Sequence, residues 1–447
     1  MSLLKSLLKR LKKKVIKFLK KSPRYDDWRN KRDIKTISRY FKKEKYKVGL
    51  ISINIHTLVL NFASPIHTWA FQKFLEKHNL DAEIIDYKPC YYANDADPRH
   101  PYDRLLKRKS EGKSVDEKEL ERWKALYNER EKRFDRFEEF IQKYYRKTKE
   151  CYNQEILDTV DLGYAAYMCV TDVIWKYNKN TGFDRGFFLN CKTMEGKKRI
   201  AYAASIGAGK EYSGSQSKEF EKLIEPLDYI SVREKRLYTH INDKTKKRAS
   251  LVLDPVFFHE KKFYKDLMIR PKRKRGYVLI YVVMGTNENI VETAIEFAKK
   301  HDLDVIELSE FTEHQGICGV NHEFVYDIGI EEWLGYMYDA EYIFTNSFHC
   351  CVFSIILQKQ FFAGKRGGDK LPWLLETFNL EDRQVYSVDE CEIPQIDFKP
   401  VEKLRKKYVL QSKAFVMRSL YNVKRNKKGK VEGIEKFMDL EQEGGCY

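Results

Sequence analysis

His349 stands two residues after Ser347 in the stretch Thr345-Asn346-Ser347-Phe348-His349-Cys350, the part of the chain best suited to chemistry. A β-branched and aromatic run, Tyr342-Ile343-Phe344, stops at Thr345, and a tightly apolar run begins at Cys350. That pattern reads as a strand feeding a helix, with Ser347 as N-cap taking an orphan amide of the first turn. Open α/β sheets bind ligands where a strand's carboxyl end meets a helix's amino end, and the free amides there favour an anion. A titratable ring in that turn makes His349 a candidate proton donor to a bound phosphate ester or carboxylate.

Other strand ends carry fitting residues. In Thr171-Asp172-Val173-Ile174-Trp175, Asp172 suits a sugar hydroxyl. Trp175 suits the apolar face of a sugar or, equally, a place in the core. Ser231-Val232-Arg233-Glu234 ends another strand. Arg233 offers a fixed positive fork for carboxylate or phosphate, unless an acidic neighbour such as Glu234 takes it. Asn61-Phe62-Ala63-Ser64 precedes a long helix, which Ser64-Pro65 is suited to open. The nine cysteines form no CxxC pair and no zinc spacing, so no metal is expected. Without an export signal they point to a reducing cytoplasm.

These residues need a scaffold, and the hydrophobic pattern supplies one. Residues 47–53, a helix over 62–78 and a strand over 82–86 make a βαβ opening. Residues 114–150 are charged and helical, opened by Ser114-Val115-Asp116-Glu117 in capping-box form. Strand signals resume at 165–171, 198–204, 229–233 and 250–253, with a short helix near 235–241. The α/β rhythm restarts with strands at 277–283, 304–308 and 360–363 and helices at 289–301, 330–339 and 371–378. The expected organisation is a basic segment over 1–46 and a Rossmann-like domain over 47–258 with a helical insertion over 103–150. A linker over 259–275, a second Rossmann-like domain over 276–398, and a C-terminal helix with a mobile tail over 399–447 complete it. Two such halves place a ligand cleft between them.

The net charge of +18 is concentrated at the start. Residues 1–21 carry nine Lys and Arg and no acid, and residues 22–47 carry ten basic and four acidic side chains. The body is close to neutral, which argues against a nucleic-acid groove. Leu4, Leu8, Leu11, Val15 and Leu19 recur at three- and four-residue steps among the lysines. Residues 1–21 therefore read as a basic amphipathic helix for an anionic membrane surface, and lysines interrupt every apolar run that could have spanned one. A helix docked on the protein's own body is the alternative.

Taken in order, the motifs resemble the polysaccharide pyruvyl transferase family from about Lys47 to Tyr386. The segment Asn61 to Lys73, N-F-A-S-P-I-H-T-W-A-F-Q-K, is similar to the family's first helix. Val170 to Trp175 matches G-S-D-Q-V-W, and Arg199 to Gly207 matches K-I-A-Y-A-A-S-F-G. Ile230 to Glu234 matches I-S-V-R-E, and Asp254-Pro255 a later D-P. Thr345 to Cys350 matches T-D-S-F-H-G, and Leu380 to Arg383 closes a basic segment with L-E-D-R.

The resemblance implies a GT-B-like pair of Rossmann domains and transfer of an enolpyruvyl unit from phosphoenolpyruvate to a sugar, as a ketal, without a further cofactor. By position it implies His349 as general acid, and Arg233, Ser347 and Lys370 on the phosphoenolpyruvate side. Asn61, Asp172 and Trp175 would line the acceptor side. With the amphipathic start, it implies a lipid-linked precursor of a cell-surface polysaccharide as acceptor and a cytoplasmic enzyme on the inner membrane face. Three family glycines are replaced by Ala63, Val170 and Cys350, and its Gln by Val173. Side chains there are expected to narrow the pocket. Two other readings share these residues: a GT-B glycosyltransferase taking a nucleotide sugar, and a non-catalytic scaffold that binds a glycan or an assembly partner.

Overall fold

The computed structural model describes residues 23–57, 59–90, 98–207, 212–283, 288–309, 319–365 and 367–421. The amphipathic helix expected over 1–21 and the tail after Asn422 lie outside them. The chain runs through α1 (Pro23–Phe41), β1 (Lys47–Ile51), α2 (Ala63–Lys77), β2 (Asp81–Tyr87), α3 (Pro101–Ser110), α4 (Glu117–Ala125) and α5 (Tyr127–Tyr144). Next come β3 (Lys147–Tyr152), β4 (Ala166–Asp172), β5 (Lys198–Ala204), α6 (Gly214–Ile224), β6 (Tyr229–Val232), α7 (Lys235–Lys244) and β7 (Ala249–Leu251). After α8 (Lys261–Lys265), the second half holds β8 (Tyr277–Tyr281), α9 (Glu288–Lys300), β9 (Asp304–Glu307), β10 (His322–Phe324), α10 (Ile330–Asp339) and β11 (Tyr342–Thr345). It ends with α11 (Phe348–Leu357), β12 (Gln360–Ala363), α12 (Lys370–Phe378) and α13 (Phe398–Leu420).

Both sheets are parallel. The first has seven strands in the order β3-β2-β1-β4-β5-β6-β7, and the second five in the order β10-β9-β8-β11-β12. Each therefore reverses direction once, between β1 and β4 and between β8 and β11, and such switch points are where doubly wound sheets hold ligands. This is the two-Rossmann, GT-B-like architecture expected.

Sheets covered on both faces select continuous apolar strands. In β4, Ala166, Met168 and Val170 face one core cluster while Tyr167 and Cys169 face another. In β8, Tyr277, Leu279 and Tyr281 enter that same first cluster and Val278 and Ile280 a third. The first cluster runs from Ile37 through both sheets to Leu420, so the two domains share one apolar core. Within the linker, the backbone packs directly on α10: a Cβ on Gly335 would meet the Ile269 carbonyl oxygen at 2.0 Å. Only glycine fits such an approach.

Several boundaries differ from expectation. The stretch over 114–150 is not helical throughout, because β3 occupies its end and forms a sheet edge. Its sequence Lys-Thr-Lys-Glu-Cys-Tyr has the polarity of an exposed edge, which hides it among charged helices. Asp116, rather than Ser114, caps α4 by accepting from the amides of Lys118 and Glu119. Strand β10 and helix α6 are additions to the expected elements. Within the basic segment, α1 packs along α13, where Arg418 holds Asp33 at 2.8 Å. The C-terminal helix thus reaches back to the first domain, and Ser412 Oγ accepts the Leu253 amide at 3.0 Å.

A candidate active site between the domains

The two switch points meet. Asn346, just past β11, accepts the Val283 amide at 2.8 Å and donates back to the Val283 carbonyl at 3.3 Å. This stitches the ends of β8 and β11 together and aims the following helix. Ser347 is the N-cap expected, its Oγ accepting the Cys350 amide at 3.4 Å. The first turn of α11 then presents His349 to the first domain.

The carboxyl end of β4 bends sharply to meet it. Thr171 and Asp172 have φ of 42° and 62°, a left-handed backbone that a β-branched residue rarely adopts. Such strain costs about 1–3 kcal/mol per residue and persists where surrounding contacts impose it. Those contacts converge on Arg233, at the end of β6. Its Nη2 donates to Asp172 Oδ1 at 2.7 Å and its Nη1 to Asp254 Oδ2 at 2.6 Å. Thr171 Oγ1 donates to the same Asp254 oxygen at 3.0 Å, and His349 Nε2 lies 3.2 Å from it. The guanidinium also covers the Phe348 ring at 4.6 Å.

The cluster is nearly closed to water, with exposures of 3% for Arg233, 4% for His349, 1% for Asp254 and 8% for Asp172. Burial opposes charge on both aspartates, yet each titrates far below the usual carboxylate range. His349 and Arg233 outweigh burial at Asp254, and Arg233, His349 and Lys370 do so at Asp172. Arg233 is held protonated in turn by both carboxylates against its own burial. Glu234 does not pair with Arg233. It accepts from Ser205 Oγ at 2.9 Å and from the Ile206 amide at 2.7 Å, and burial pushes its carboxyl up.

The other expected residues separate into two groups. Lys370 opens α12 with its ammonium 5.7 Å from the Phe348 ring, and its charge reaches Asp172. The structure thus gathers His349, Arg233, Asp172, Ser347 and Lys370. Arg233 is not an open fork, however, since two carboxylates occupy it; its Nε is buried without a hydrogen-bond partner. Asn61 shapes the start of α2, its Oδ1 accepting the Ala63 amide at 3.0 Å, so Ser64-Pro65 lies inside the helix.

Trp175 must be corrected. It is fully buried, stacks on Phe188 at 5.2 Å and donates Nε1 to the Phe187 carbonyl at 3.0 Å, leaving no face for a sugar. The replaced glycines also behave differently from expectation. Val170 and Cys350 are fully buried members of the shared core, and Ala63 is 1% exposed, so their side chains fill core rather than a pocket. Burial pushes the Cys350 thiol up to about 12.

Two members were not singled out by sequence. Asp254 appeared only in the Asp254-Pro255 motif match; it caps the short helical turn Pro255–Phe258, its Oδ1 accepting the Val256 amide at 3.2 Å. His67 sits mid-helix among apolar residues, where a histidine reads as core. Its Nε2 lies 3.9 Å from Asp172 Oδ2, and its ring 5.7 Å from that of His349. Burial lowers it to about 4, so it is neutral near pH 7. A separate cavity of about 280 Å³ lies at the opposite edge of the second sheet, beside Tyr342, Gln360 and Arg383, and contains none of the site residues.

Among solved structures, the chain is similar to a UDP-GlcNAc 2-epimerase from Neisseria meningitidis (9% identity, 84% of this chain and 99% of that one, TM-score 0.49). It is also similar to a putative UDP-N-acetylglucosamine 2-epimerase from Listeria monocytogenes (7%, 82% and 91%, 0.46) and to the glycosyltransferase SnogD from Streptomyces nogalater (9%, 85% and 100%, 0.40). None of the curated proteins compared with the chain matches it. A family model described as polysaccharide pyruvyl transferase matches residues 66–363, a span that includes Asp172, Arg233, Asp254 and His349. The chain belongs to the polysaccharide pyruvyl transferase family.

Proposed function

We propose that the protein transfers a pyruvyl group from phosphoenolpyruvate to a sugar of a cell-surface polysaccharide, on a lipid-linked precursor. The observation that carries this reading is His349 of one domain set against Asp254, Arg233 and Asp172 of the other. Protonated His349 gives its proton to the methylene carbon of phosphoenolpyruvate while a sugar hydroxyl adds at the neighbouring enol carbon and releases its own proton. The tetrahedral centre loses phosphate. A second hydroxyl then adds, closes the ketal ring, and its proton leaves with the phosphate. Asp254 Oδ2, 3.2 Å from Nε2, orients the ring for the first step. Lys370, the unpaired Nε of Arg233 and the first amides of α11 supply positive potential for the donor's phosphate and carboxylate. Asp172, the more exposed aspartate, accepts from a sugar hydroxyl. Because the cluster is closed, the domains must part to admit both substrates.

Phosphate release from phosphoenolpyruvate, measured with candidate lipid-linked sugars, tests this. Label from phosphoenolpyruvate should appear in the acceptor. Stabilisation by nucleotide sugars but not by phosphoenolpyruvate would replace the donor, since a true donor raises the melting temperature. Residues 1–21, with nine basic side chains and no acid, are assigned to the anionic inner face of the membrane. Among the described residues no helix is long and apolar enough to cross a membrane. Deleting residues 1–21 should abolish binding to anionic vesicles, and high salt should weaken it in the full chain. Salt-insensitive binding by the truncated protein would overturn that assignment.

A further inference from the structure

Three side chains distant in sequence converge at the carboxyl edge of β1, β2 and β3. His56 lies in the loop after β1, Asp86 near the end of β2, and Cys151 in β3. Asp86 and Cys151 are register partners across the parallel β2–β3 pair, just past an irregularity in that pairing, so the sheet itself sets them side by side. His56 Nε2 is 2.6 Å from Asp86 Oδ1 and 3.4 Å from Cys151 Sγ, and the three atoms all lie within 4.8 Å of one another.

The set combines an imidazole, a carboxylate and a thiol, the mixture that suits zinc. It is not a nucleophilic triad, because Asp86 and Cys151 approach the same ring nitrogen. Tetrahedral zinc with bonds of about 2.0–2.3 Å spaces its ligand atoms roughly 3.3–3.8 Å apart. His56 and Cys151 already have that spacing. His56 and Asp86 must open by about 1 Å, as the proton between them leaves. Lys147 donates to the other oxygen of Asp86 at 2.8 Å, which turns Oδ1 toward the other two ligands, as outer partners of metal sites do. Cys151 is exposed and His56 half-buried, so a cation has an approach from solvent.

We propose that His56 Nε2, Asp86 Oδ1 and Cys151 Sγ bind a zinc-type divalent cation, with a fourth position open to water or a hydroxyl ligand. Binding takes Cys151 as thiolate and His56 with no proton on Nε2. The proposal is independent of the donor substrate.

The test uses the full chain, stripped by chelator and given zinc or cobalt alone. One zinc per chain should survive gel filtration, and zinc should protect Cys151 from alkylation, read by peptide mass spectrometry. Cobalt should produce thiolate charge-transfer absorption. Cys151→Ser and His56→Ala should each lose the equivalent and the absorption, and Lys147→Met should weaken binding by about 10–100-fold. Unchanged alkylation of Cys151 in zinc-loaded wild-type protein, which needs no variant to fold, would overturn the site. So would a full equivalent retained in both ligand variants.

Discussion

His349 Nε2, carried by the second domain, lies 3.2 Å from Asp254 Oδ2, buried in the first. Arg233 Nη1 also lies 3.2 Å from that nitrogen. Arginine only donates, so a neutral ring with a bare Nε2 accepts from Arg233, whereas a protonated ring donates to Asp254. Whether Nε2 of His349 carries a proton thus selects which residue of the first domain it bonds. A proton leaving the ring for substrate exchanges one partner for the other without stranding the nitrogen.

His349→Ala and His349→Gln should lower phosphate release by about 10²–10⁴-fold, the range for loss of a positioned acid. Binding of phosphoenolpyruvate and the melting temperature should change little. Single-turnover phosphate release measures this, and a loss below about tenfold would remove His349 from proton transfer.

Asp254→Asn should unfold the protein more easily than Asp172→Asn. Asp254 has no exposed side-chain surface and receives Arg233, Thr171 and His349, whereas the Asp172 side chain is 12% exposed. Breaking a buried ion pair by removing one partner costs about 3–5 kcal/mol. Urea midpoints of the two variants should differ in that order.

Stability should fall as the solution is acidified, in two stages. His67, His78 and His259 are lowered to about 4, chiefly by burial, so the unfolded chain takes up protons first. Stability therefore declines as pH falls from about 6.5 toward 4 and rises again in the reverse direction. Asp172 and Asp254 have depressed values, so their contribution is complete above the unfolded carboxylate value and lost as pH falls below about 4. Urea unfolding across pH measures both, and His67→Gln should flatten the upper stage.

Helix α5 clamps the second domain. Arg136 pairs with Glu332, and Lys132 and Lys143 reach Asp327 and Glu331 at 3.7 Å. Arg133 is buried between the Phe62 and Tyr326 rings, 4.3 and 4.6 Å away. The exposed pairs are worth about 0–1 kcal/mol each, but the desolvated cation–ring contacts about 2 kcal/mol. Arg133→Met should therefore loosen the domains more than Lys132→Met. Limited proteolysis and small-angle scattering would read the difference.

Trp175→Phe should lower stability by about 1–3 kcal/mol by leaving the buried Phe187 carbonyl unpaired, with no change in acceptor KM. A raised acceptor KM at unchanged stability would return Trp175 to the acceptor side.

The sequence alone determined what is local. The strand–Ser347–helix element, the apolar strands of two α/β halves and the ordered motifs all depend on neighbouring residues, so spacing sufficed. The polar edge strand β3 escaped because pairing on one side leaves little hydrophobic signal. What the tertiary structure decided is burial and partnership across distance. Arg233 and Asp254 are 21 residues apart and His349 a further 95, and no local pattern says that they meet. Trp175 and Cys350 had two physically sound fates each, and only the packing around them put both in the core. His56, Asp86 and Cys151 were scattered residues until sheet register set them side by side. Chain geometry fixes elements within a few residues, but the choice between solvent, core and partner belongs to the whole fold.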